Sequence, residues 1–357
     1  MSVETGAAPQ GVDLPGLTAW LATELPGGSQ PVQVSLISGG RSNLTYEIVH
    51  NGRSMVLRRP PLGHVLATAH DMRREYRVIS ALAPTPVPVP EALAYCADPA
   101  VIGASFYLMS KVDGEIYRTG RQLRALGPAD GDALATALAA TLADLHGVDP
   151  ASVGLADFGR PEGFLSRQIR RWRTQLEASN TRPLPGAEEL AQRLADRQPE
   201  SPPGTIVHGD YRLDNMLVTP AEETPPGAGR IAAVLDWEMS TLGDPLTALG
   251  MTCVYWDGLG GFGDAVPPSP GSLPGWPDRD QLVERYARHG AVPVDRLDWY
   301  IAFAYYKLAV ILEGINARYL MGKTVGEGFD EIGVGVAALA DAALAKASAS
   351  DDSRLRA

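Results

Sequence analysis

The sequence predicts an α+β protein in which an N-terminal antiparallel five-stranded sheet with one helix precedes a mainly helical part. Short β-rich segments and the hairpin dipeptide Asn51-Gly52 dominate the first 110 residues. Alanine- and leucine-rich helical patterns dominate the remainder. The character changes after Asp113-Gly114, which predicts two lobes, residues 1–110 and 111–357.

The N-terminal elements follow from residue alternation and from turn residues. Strands are predicted at 32–37, 43–49, 55–59, 92–96 and 105–109. Asp71 is a candidate N-cap for a helix that ends at Leu82, and apolar spacing predicts another helix from Leu14 to Leu25. Prolines at every second position from Pro84 to Pro90 predict an extended connection rather than a helix.

The C-terminal part is predicted to be helical, with two short apolar segments set among its helices. Helices are predicted at 133–146, 163–176, 187–196, 281–289, 296–319 and 326–347. The short segments, 206–218 and 231–236, each carry a cluster of polar residues. Residues of this kind at the ends of short strands are candidates for chemistry.

Composition excludes several classes of function. The formal net charge of −11 and a pI near 5.1 argue against nucleic acid or an anionic membrane as a partner, because either needs a basic surface. The two cysteines, Cys96 and Cys253, have neither disulfide nor zinc-site spacing, which is typical of a reducing compartment. No segment is long and apolar enough to cross a bilayer, so we expect a cytoplasmic protein.

The most informative motif is His208-Gly209-Asp210, followed by Asn215 and then by Asp236 in a separate segment. Phosphoryl transfer needs a carboxylate beside the attacking hydroxyl, and carboxylate and amide oxygens that hold Mg²⁺. The two segments contain this set of side chains.

In these residues the sequence resembles the aminoglycoside phosphotransferase and choline kinase superfamily, and is most similar to the kinase domains fused to acyl-CoA dehydrogenases. The motifs that carry the resemblance are 210–215 and 235–241. The resemblance implies a protein-kinase-like two-lobe fold, use of ATP and Mg²⁺, and phosphorylation of a hydroxyl group on a small-molecule acceptor. It also implies that Asp210 is the catalytic base or orients the hydroxyl, and that Asn215 and Asp236 are metal ligands.

The same resemblance implies a set of nucleotide-binding residues in the N-terminal lobe. Val56 is expected under the adenine, and Arg58 stands where the family usually has a phosphate-binding lysine, with Glu75 as its ion-pair partner. Without the resemblance, Glu75 could equally be a surface residue. The loop before the second strand and the hinge between the lobes complete the expected set: Gly39, Gly40, Arg41, Ser42, Asn43, Met109, Ser110 and Val112.

Two residues beside the catalytic aspartate receive separate interpretations. Arg212 stands where protein kinases have a lysine, and we expect it to neutralise charge on the phosphoryl group in transfer. His208 is expected to brace the loop rather than to carry a proton, because transfer to an alcohol needs no second proton carrier. Asp244 is expected to brace the catalytic loop or to cap the next helix.

The acceptor and some alternatives stay open at this point. Similarity to the dehydrogenase-fused kinases indicates a hydroxy acid or a hydroxyacyl thioester, for which the arginines of 167–173 could offer positive charge, although that run could equally be a solvated face. An antibiotic kinase of the aminoglycoside type and a nucleotide-binding pseudokinase are the alternatives. A hydrolase is discounted, because no nucleophile elbow accompanies Gly209-Asp210.

Overall fold

The computed structural model describes residues 9–25, 30–37, 43–62, 71–179, 181–220, 223, 230–258, 269–290, 292–322 and 332–350. The chain divides into two compact units. The first unit contains Met1–Gly114 and Ala232–Ser240, and the second contains Glu115–Ile231 and Thr241–Ala357. The first unit is therefore discontinuous in sequence.

The first unit is built on an antiparallel sheet of five strands. The strands are β1 (Gln33–Leu36), β2 (Leu44–His50), β3 (Arg53–Arg59), β4 (Ala92–Cys96) and β5 (Phe106–Ser110). Their spatial order is β1-β2-β3-β5-β4, and every neighbouring pair is antiparallel. The predicted five-stranded antiparallel sheet is thus confirmed.

Local sequence explains the main features of this unit. Asn51 and Gly52 both have positive φ, 54° and 74°, which is the conformation that a tight β2–β3 hairpin requires. The helices α1 (Leu14–Glu24) and α2 (Met72–Leu82) match the two predicted helices, and Asp71 caps α2 by accepting from the Arg74 amide. Leu17 and Leu21 of α1 are fully buried in the core of the sheet.

The second unit is mainly helical. Its helices are α3 (Gly120–Ala125), α4 (Pro128–Gly147), α5 (Phe164–Ser179), α6 (Pro185–Asp196), α7 (Pro245–Asp257), α8 (Arg279–Arg288), α9 (Leu297–Leu320) and α10 (Ile332–Ala349). Three short strands accompany them: β6 (Thr205–Val207), β7 (Met216–Val218) and β9 (Thr241–Gly243). Strand β6 pairs antiparallel with β9, with Val207 opposite Thr241. A further strand, β8 (Ile231–Val234), lies where the chain passes into the first unit.

Helix α7 packs against α9 in the core of the second unit. A Cβ atom added at Gly250 would lie 2.6 Å from the carbonyl oxygen of Tyr300, so the absence of a side chain permits the close approach of the two helices. The Asp244 carboxylate caps α7 by accepting from the Leu246 amide at 3.0 Å, and it also accepts from the Tyr300 hydroxyl at 2.8 Å. The predicted capping role of Asp244 is confirmed.

Candidate active site

The loop that carries Asp210 begins directly after β6. Gly209 has a φ of 89°, which lies in the left-handed region that glycine adopts without strain. His208 is fully buried, and its Nδ1 accepts a hydrogen bond from the Asp210 amide at 3.3 Å. Thr252 of α7 donates to the Tyr211 carbonyl at 3.2 Å. The predicted loop-bracing role of His208 agrees with these contacts, which fix the loop on the helical core.

The Asp210 carboxylate is oriented through both of its oxygen atoms. Its Oδ1 accepts from the Tyr255 hydroxyl at 3.0 Å, and its Oδ2 accepts from Nδ2 of Asn215 at 2.9 Å. The same Asn215 nitrogen donates to the Asp210 carbonyl, also at 2.9 Å, across the 3₁₀ turn Leu213–Asn215. The Asp210 side chain is 27% exposed, so a small molecule can reach it.

Arg212 lies between two carboxylates of the same loop. Its Nε is 3.4 Å from Oδ2 of Asp210, and its Nη2 is 2.5 Å from Oδ2 of Asp214. The guanidinium carbon also lies 5.2 Å from the centre of the Tyr255 ring. Burial is the largest single effect on the pKa of Arg212 and lowers it, but Asp210, Tyr255 and Asp214 together outweigh burial, so the pKa is raised overall. Arg212 is therefore a permanent positive charge beside Asp210.

A recess of the second unit adjoins this carboxylate. Arg212 and Tyr255, which both contact Asp210, contribute to its lining. Most of the remaining lining is apolar or aromatic: Tyr117, Leu138, Leu213, Trp256 and Pro270, with Asp214 and Thr252. Such a surface suits a ligand that is partly hydrocarbon.

In the first unit, Arg58 of β3 lies between two carboxylates. Its Nε is 3.2 Å from Oε2 of Glu75 in α2, and its Nη2 donates to Oδ1 of Asp236 at 2.7 Å. The ion pair between Arg58 and Glu75 that the sequence predicts is therefore present. Burial lowers the pKa of the Arg58 guanidinium, but the negative charges of Glu75 and Asp236 raise it by more. The pKa is therefore raised overall.

Three carboxylates of the first unit lie close together, and the third was not predicted to take part. Ligand oxygens of Glu75, Asp236 and Glu238 all lie within 4.8 Å of one another. Asn43 donates to Glu75 at 2.9 Å and to Glu238 at 3.0 Å through Nδ2. Asp236 adopts the left-handed conformation with φ 65°, which Asp tolerates better than most residues. Hard carboxylate oxygens at this spacing fit a divalent cation such as Mg²⁺.

The remaining predicted nucleotide-binding residues lie on β3, on β5 and in the segment after β5. Val56 and Met109 are register partners on the paired strands and are 7% exposed. The Ser110 amide donates to the Glu91 carbonyl at 2.9 Å, so this N–H is engaged within the sheet. Val112 follows β5 and is half-buried. Gly39, Gly40, Arg41 and Ser42 lie outside the described residues.

Two residues beside the Asp210 loop make contacts that the sequence did not predict, although the segment that contains Tyr255 was expected to contribute to acceptor specificity. Tyr255 of α7 holds Asp210, and Lys307 of α9 donates to the Gly209 carbonyl at 3.3 Å. They lie 45 and 98 residues from their partners in sequence. The only local signal was the aromatic run that contains Tyr255.

Comparison with known proteins identifies the family. A model of the phosphotransferase enzyme family, APH, matches residues 33–280 of the chain. The chain belongs to this family. The chain is also 32% identical to a solved structure from Ralstonia eutropha JMP134 that is provisionally named an aminoglycoside phosphotransferase. That match covers 94% of this chain and 98% of the other, with a TM-score of 0.80.

Curated relatives of this phosphotransferase are considerably longer proteins. Acyl-CoA dehydrogenase family member 11 of Gallus gallus is 36% identical over 343 residues, which cover 93% of this chain and 43% of the relative. Acyl-CoA dehydrogenase family member 10 of Mus musculus is 35% identical over 331 residues, which cover 90% of this chain and 29% of the relative. The chain thus spans less than half the length of these relatives.

A more distant solved structure has the same fold. It is a thermostable mutant of aminoglycoside phosphotransferase APH(4)-Ia in a ternary complex with AMP-PNP and hygromycin B. It is 16% identical, covers 94% of this chain and 99% of its own, and has a TM-score of 0.58. The fold class predicted from the sequence is thus confirmed. Within the described part of the phosphotransferase, none of the helices combines the length and apolar character that crossing a membrane requires.

Proposed function

We propose that this member of the family is a kinase that transfers the terminal phosphoryl group of ATP to a hydroxyl group of a small molecule, with Mg²⁺ as cofactor. The observation that carries the proposal is the Asp210 carboxylate, which is accessible and is held through both oxygens by Tyr255 and Asn215. A general base that is already oriented before its substrate arrives does not have to be ordered during the reaction, which favours catalysis.

Asp210 accepts the proton of the acceptor hydroxyl in this mechanism. As the acceptor oxygen bonds to the γ-phosphorus, the bond from that phosphorus to the bridging oxygen of ATP breaks and ADP leaves. Arg212, whose Nε is 3.4 Å from Asp210, supplies positive charge for the phosphoryl oxygens. Asn215 keeps the carboxylate aimed by donating to it from the next turn.

The nucleotide is proposed to bind through residues of the first unit. Val56 and Met109 offer an apolar surface for adenine, with the main chain of Ser110 and Val112 nearby in sequence. Arg58 takes the place of the usual lysine and can donate to phosphate oxygens through its planar fork, while Glu75 holds it in position. The glycine-containing loop, Gly39 to Asn43, is proposed to contribute backbone amides.

Asp236 and Asn215 are the proposed metal ligands. Asp236 belongs to the group of carboxylates that fits a divalent cation, together with Glu75 and Glu238. Mg²⁺, when bound, neutralises negative charge on the phosphate oxygens. Asn215 has its Nδ2 on Asp210, so its Oδ1 is the atom that suits a cation.

For the acceptor we propose a hydroxy acid or a hydroxyacyl thioester. The recess beside Asp210 has a largely apolar lining together with Arg212, which fits a short acyl chain better than a polycationic sugar. The names of the longer relatives, acyl-CoA dehydrogenase family members, support an acceptor that carries an acyl group. A cytoplasmic location stays a prediction.

The test is phosphate transfer from radiolabelled ATP to hydroxy acids, their thioesters, aminoglycosides and amino alcohols. We expect Mg²⁺-dependent transfer to at least one acyl acceptor, and an Asp210→Asn variant whose kcat is lower by about 10²- to 10⁴-fold. Asp280→Asn is the matched control, because this carboxylate of the same unit is 81% exposed and should leave kcat unchanged.

Other outcomes would favour the alternatives. Transfer to aminoglycosides alone would make the chain an antibiotic kinase. ATP binding with neither transfer nor ATP hydrolysis would indicate a pseudokinase. An Asp210→Asn variant that keeps wild-type kcat would contradict the proposed base.

A further inference from the structure

Lys307 and Trp172 meet beside the loop that carries Asp210. Lys307 is on α9 and Trp172 is on α5, and the Lys307 ammonium lies 5.7 Å from the centre of the indole ring. The same ammonium donates to the carbonyl oxygen of Gly209, the residue before Asp210, at 3.3 Å. A cation is thus held on an aromatic face, one residue from the proposed base.

The bonding capacity of this ammonium is largely unused in the described part of the chain. An ammonium group has three N–H donors, and Gly209 supplies the one hydrogen-bond acceptor for Lys307 among the described residues. The Nε1–H of Trp172 is also buried without a hydrogen-bond partner there. Unmatched donors of this kind cost free energy unless a ligand satisfies them.

The electrostatic environment of Lys307 is also incompletely compensated. Burial lowers the pKa of Lys307 to about 8, and although the Asp210 charge opposes this effect, Arg171 on α5 adds to it. The Arg171 guanidinium lies 5.4 Å from the centre of the same Trp172 ring, on the exposed side of α5. An additional anion would stabilise this cluster.

We propose that Lys307, packed on Trp172, binds a negatively charged group of the acceptor and so makes the enzyme selective for anionic hydroxy compounds. The inference rests on the proposed function, because it takes Asp210 as the base that receives the acceptor hydroxyl. The Lys307 ammonium is 3.3 Å from the carbonyl oxygen of the residue before Asp210 and interacts electrostatically with the Asp210 carboxylate, so a small molecule whose hydroxyl reaches Asp210 can place a second group near Lys307.

The anionic group could be the carboxylate of a free hydroxy acid or a phosphate of a coenzyme A thioester. Three probes distinguish these sources: 3-hydroxybutyrate, 3-hydroxybutyryl-coenzyme A and the neutral methyl 3-hydroxybutyrate. Calorimetric titration of each probe into the full chain with Mg²⁺ and ADP measures binding without turnover. Failure of transfer and failure of acceptor recognition are therefore observed separately.

The variants are Lys307→Met, Lys307→Arg and the control Lys346→Met, which removes an exposed lysine of α10 in the same unit. We expect wild-type protein to bind one anionic probe at least about tenfold more tightly than the ester, because a hydrogen bond between two charged groups is stronger than one to a neutral group. Lys307→Met should abolish this preference, because it should weaken binding of the anionic probe but leave binding of the neutral ester unchanged. Lys307→Arg should retain most of it, and Lys346→Met should match wild type.

Three results would overturn the proposal. The first is equal weakening of the anionic and neutral probes in Lys307→Met, which would mean that Lys307 only braces Gly209. The second is an unchanged preference in that variant, and the third is a wild-type protein that prefers neither anionic probe. Circular dichroism melts check that each variant is folded, and Lys307→Arg provides the comparison if Lys307→Met is not.

Discussion

The Tyr255 hydroxyl donates a hydrogen bond of 3.0 Å to Oδ1 of Asp210 from helix α7. Burial and the charge of Asp210 raise the pKa of Tyr255 well above its ordinary value, so the phenol stays protonated and remains a donor at neutral pH. Because Asn215 holds the other oxygen, the carboxylate cannot rotate freely. Preorganisation of the base is thus shared between a helix and a loop.

Removal of the Tyr255 hydroxyl should therefore impair catalysis more than nucleotide binding. We expect Tyr255→Phe to lower kcat by about tenfold, which corresponds to the free energy of roughly one hydrogen bond. The KM for ATP should change less than about twofold. Tyr306→Phe is the matched control, since its buried hydroxyl has no hydrogen-bond partner among the described residues. A Tyr255→Phe enzyme with unaltered kcat would show that Asn215 alone is sufficient.

Arg58 should be the most important cation for the stability of the first unit. Arg58→Met would leave Glu75, which is 1% exposed, without its ion-pair partner, so we expect a loss of about 3–5 kcal/mol in the free energy of unfolding. Arg58→Lys should lose less, because one ammonium can still approach one carboxylate. Denaturant titration of the full chain measures both.

The exposed pair of Arg53 and Glu91 provides the comparison for Arg58. Its side chains are 54% and 66% exposed, so Arg53→Met should cost less than about 1 kcal/mol. Similar losses for the two arginine variants would mean that the Arg58 pair is far more solvated than its burial indicates.

The Asp244 carboxylate should contribute to stability through two hydrogen bonds. It caps α7 and accepts from the Tyr300 hydroxyl, and it is 1% exposed. We expect Asp244→Ala to lower the free energy of unfolding by about 2–4 kcal/mol. Asp278→Ala, which removes the cap of α8, should cost only about 1 kcal/mol. Thermal melts that rank the two variants the other way would refute this assignment.

The lowered pKa of Lys307 should make the free energy of unfolding depend on pH. In the unfolded chain its pKa is 10.5, whereas in the folded protein it is about 8. Between these values the unfolded chain binds a proton that the folded chain lacks, so the free energy of unfolding rises with pH through this window. From pH 7.5 to 9.5 this gain should reach at most about 2 kcal/mol.

Lys307→Met should lack that gain, because it has no titratable group at this position. Urea titrations at the two pH values, with Lys346→Met as the control, isolate the contribution of Lys307. Parallel pH profiles for wild type and Lys307→Met would contradict the lowered pKa.

The sequence predicted the sheet and most helices because their patterns are local. Alternation and the Asn51-Gly52 turn predicted β2 and β3, and apolar spacing predicted α9. Helix α7 was not predicted as a segment, since most of its 13 residues are buried and it therefore has no polar face to reveal a helical period. Strand β9 has three residues, too few for alternation to be recognised.

The residues of the candidate site also fall into those that local motifs predicted and those whose contacts depend on the fold. Asp210, Asn215 and Asp236 were found because they belong to compact motifs, and the pairing of Arg58 with Glu75 followed from the family resemblance. The contacts of Tyr255 and Lys307 depend on tertiary packing between distant segments, so no single stretch of sequence contains them. Glu238 lies within a motif, but its proximity to Glu75 depends on the fold.

The return of Ala232–Ser240 to the first unit has a practical consequence for dissecting the protein. A fragment that ends at Gly114 would retain Arg58, Asn43 and Glu75 but would lack Asp236 and Glu238, the acidic groups that these side chains contact or neighbour. If the chain were divided at that boundary, the first half would lack part of its own unit, and the second half would carry nine residues that belong to the first unit. To produce the first unit alone, residues 232–240 would have to be joined to it, and to produce the second unit alone, they would have to be removed.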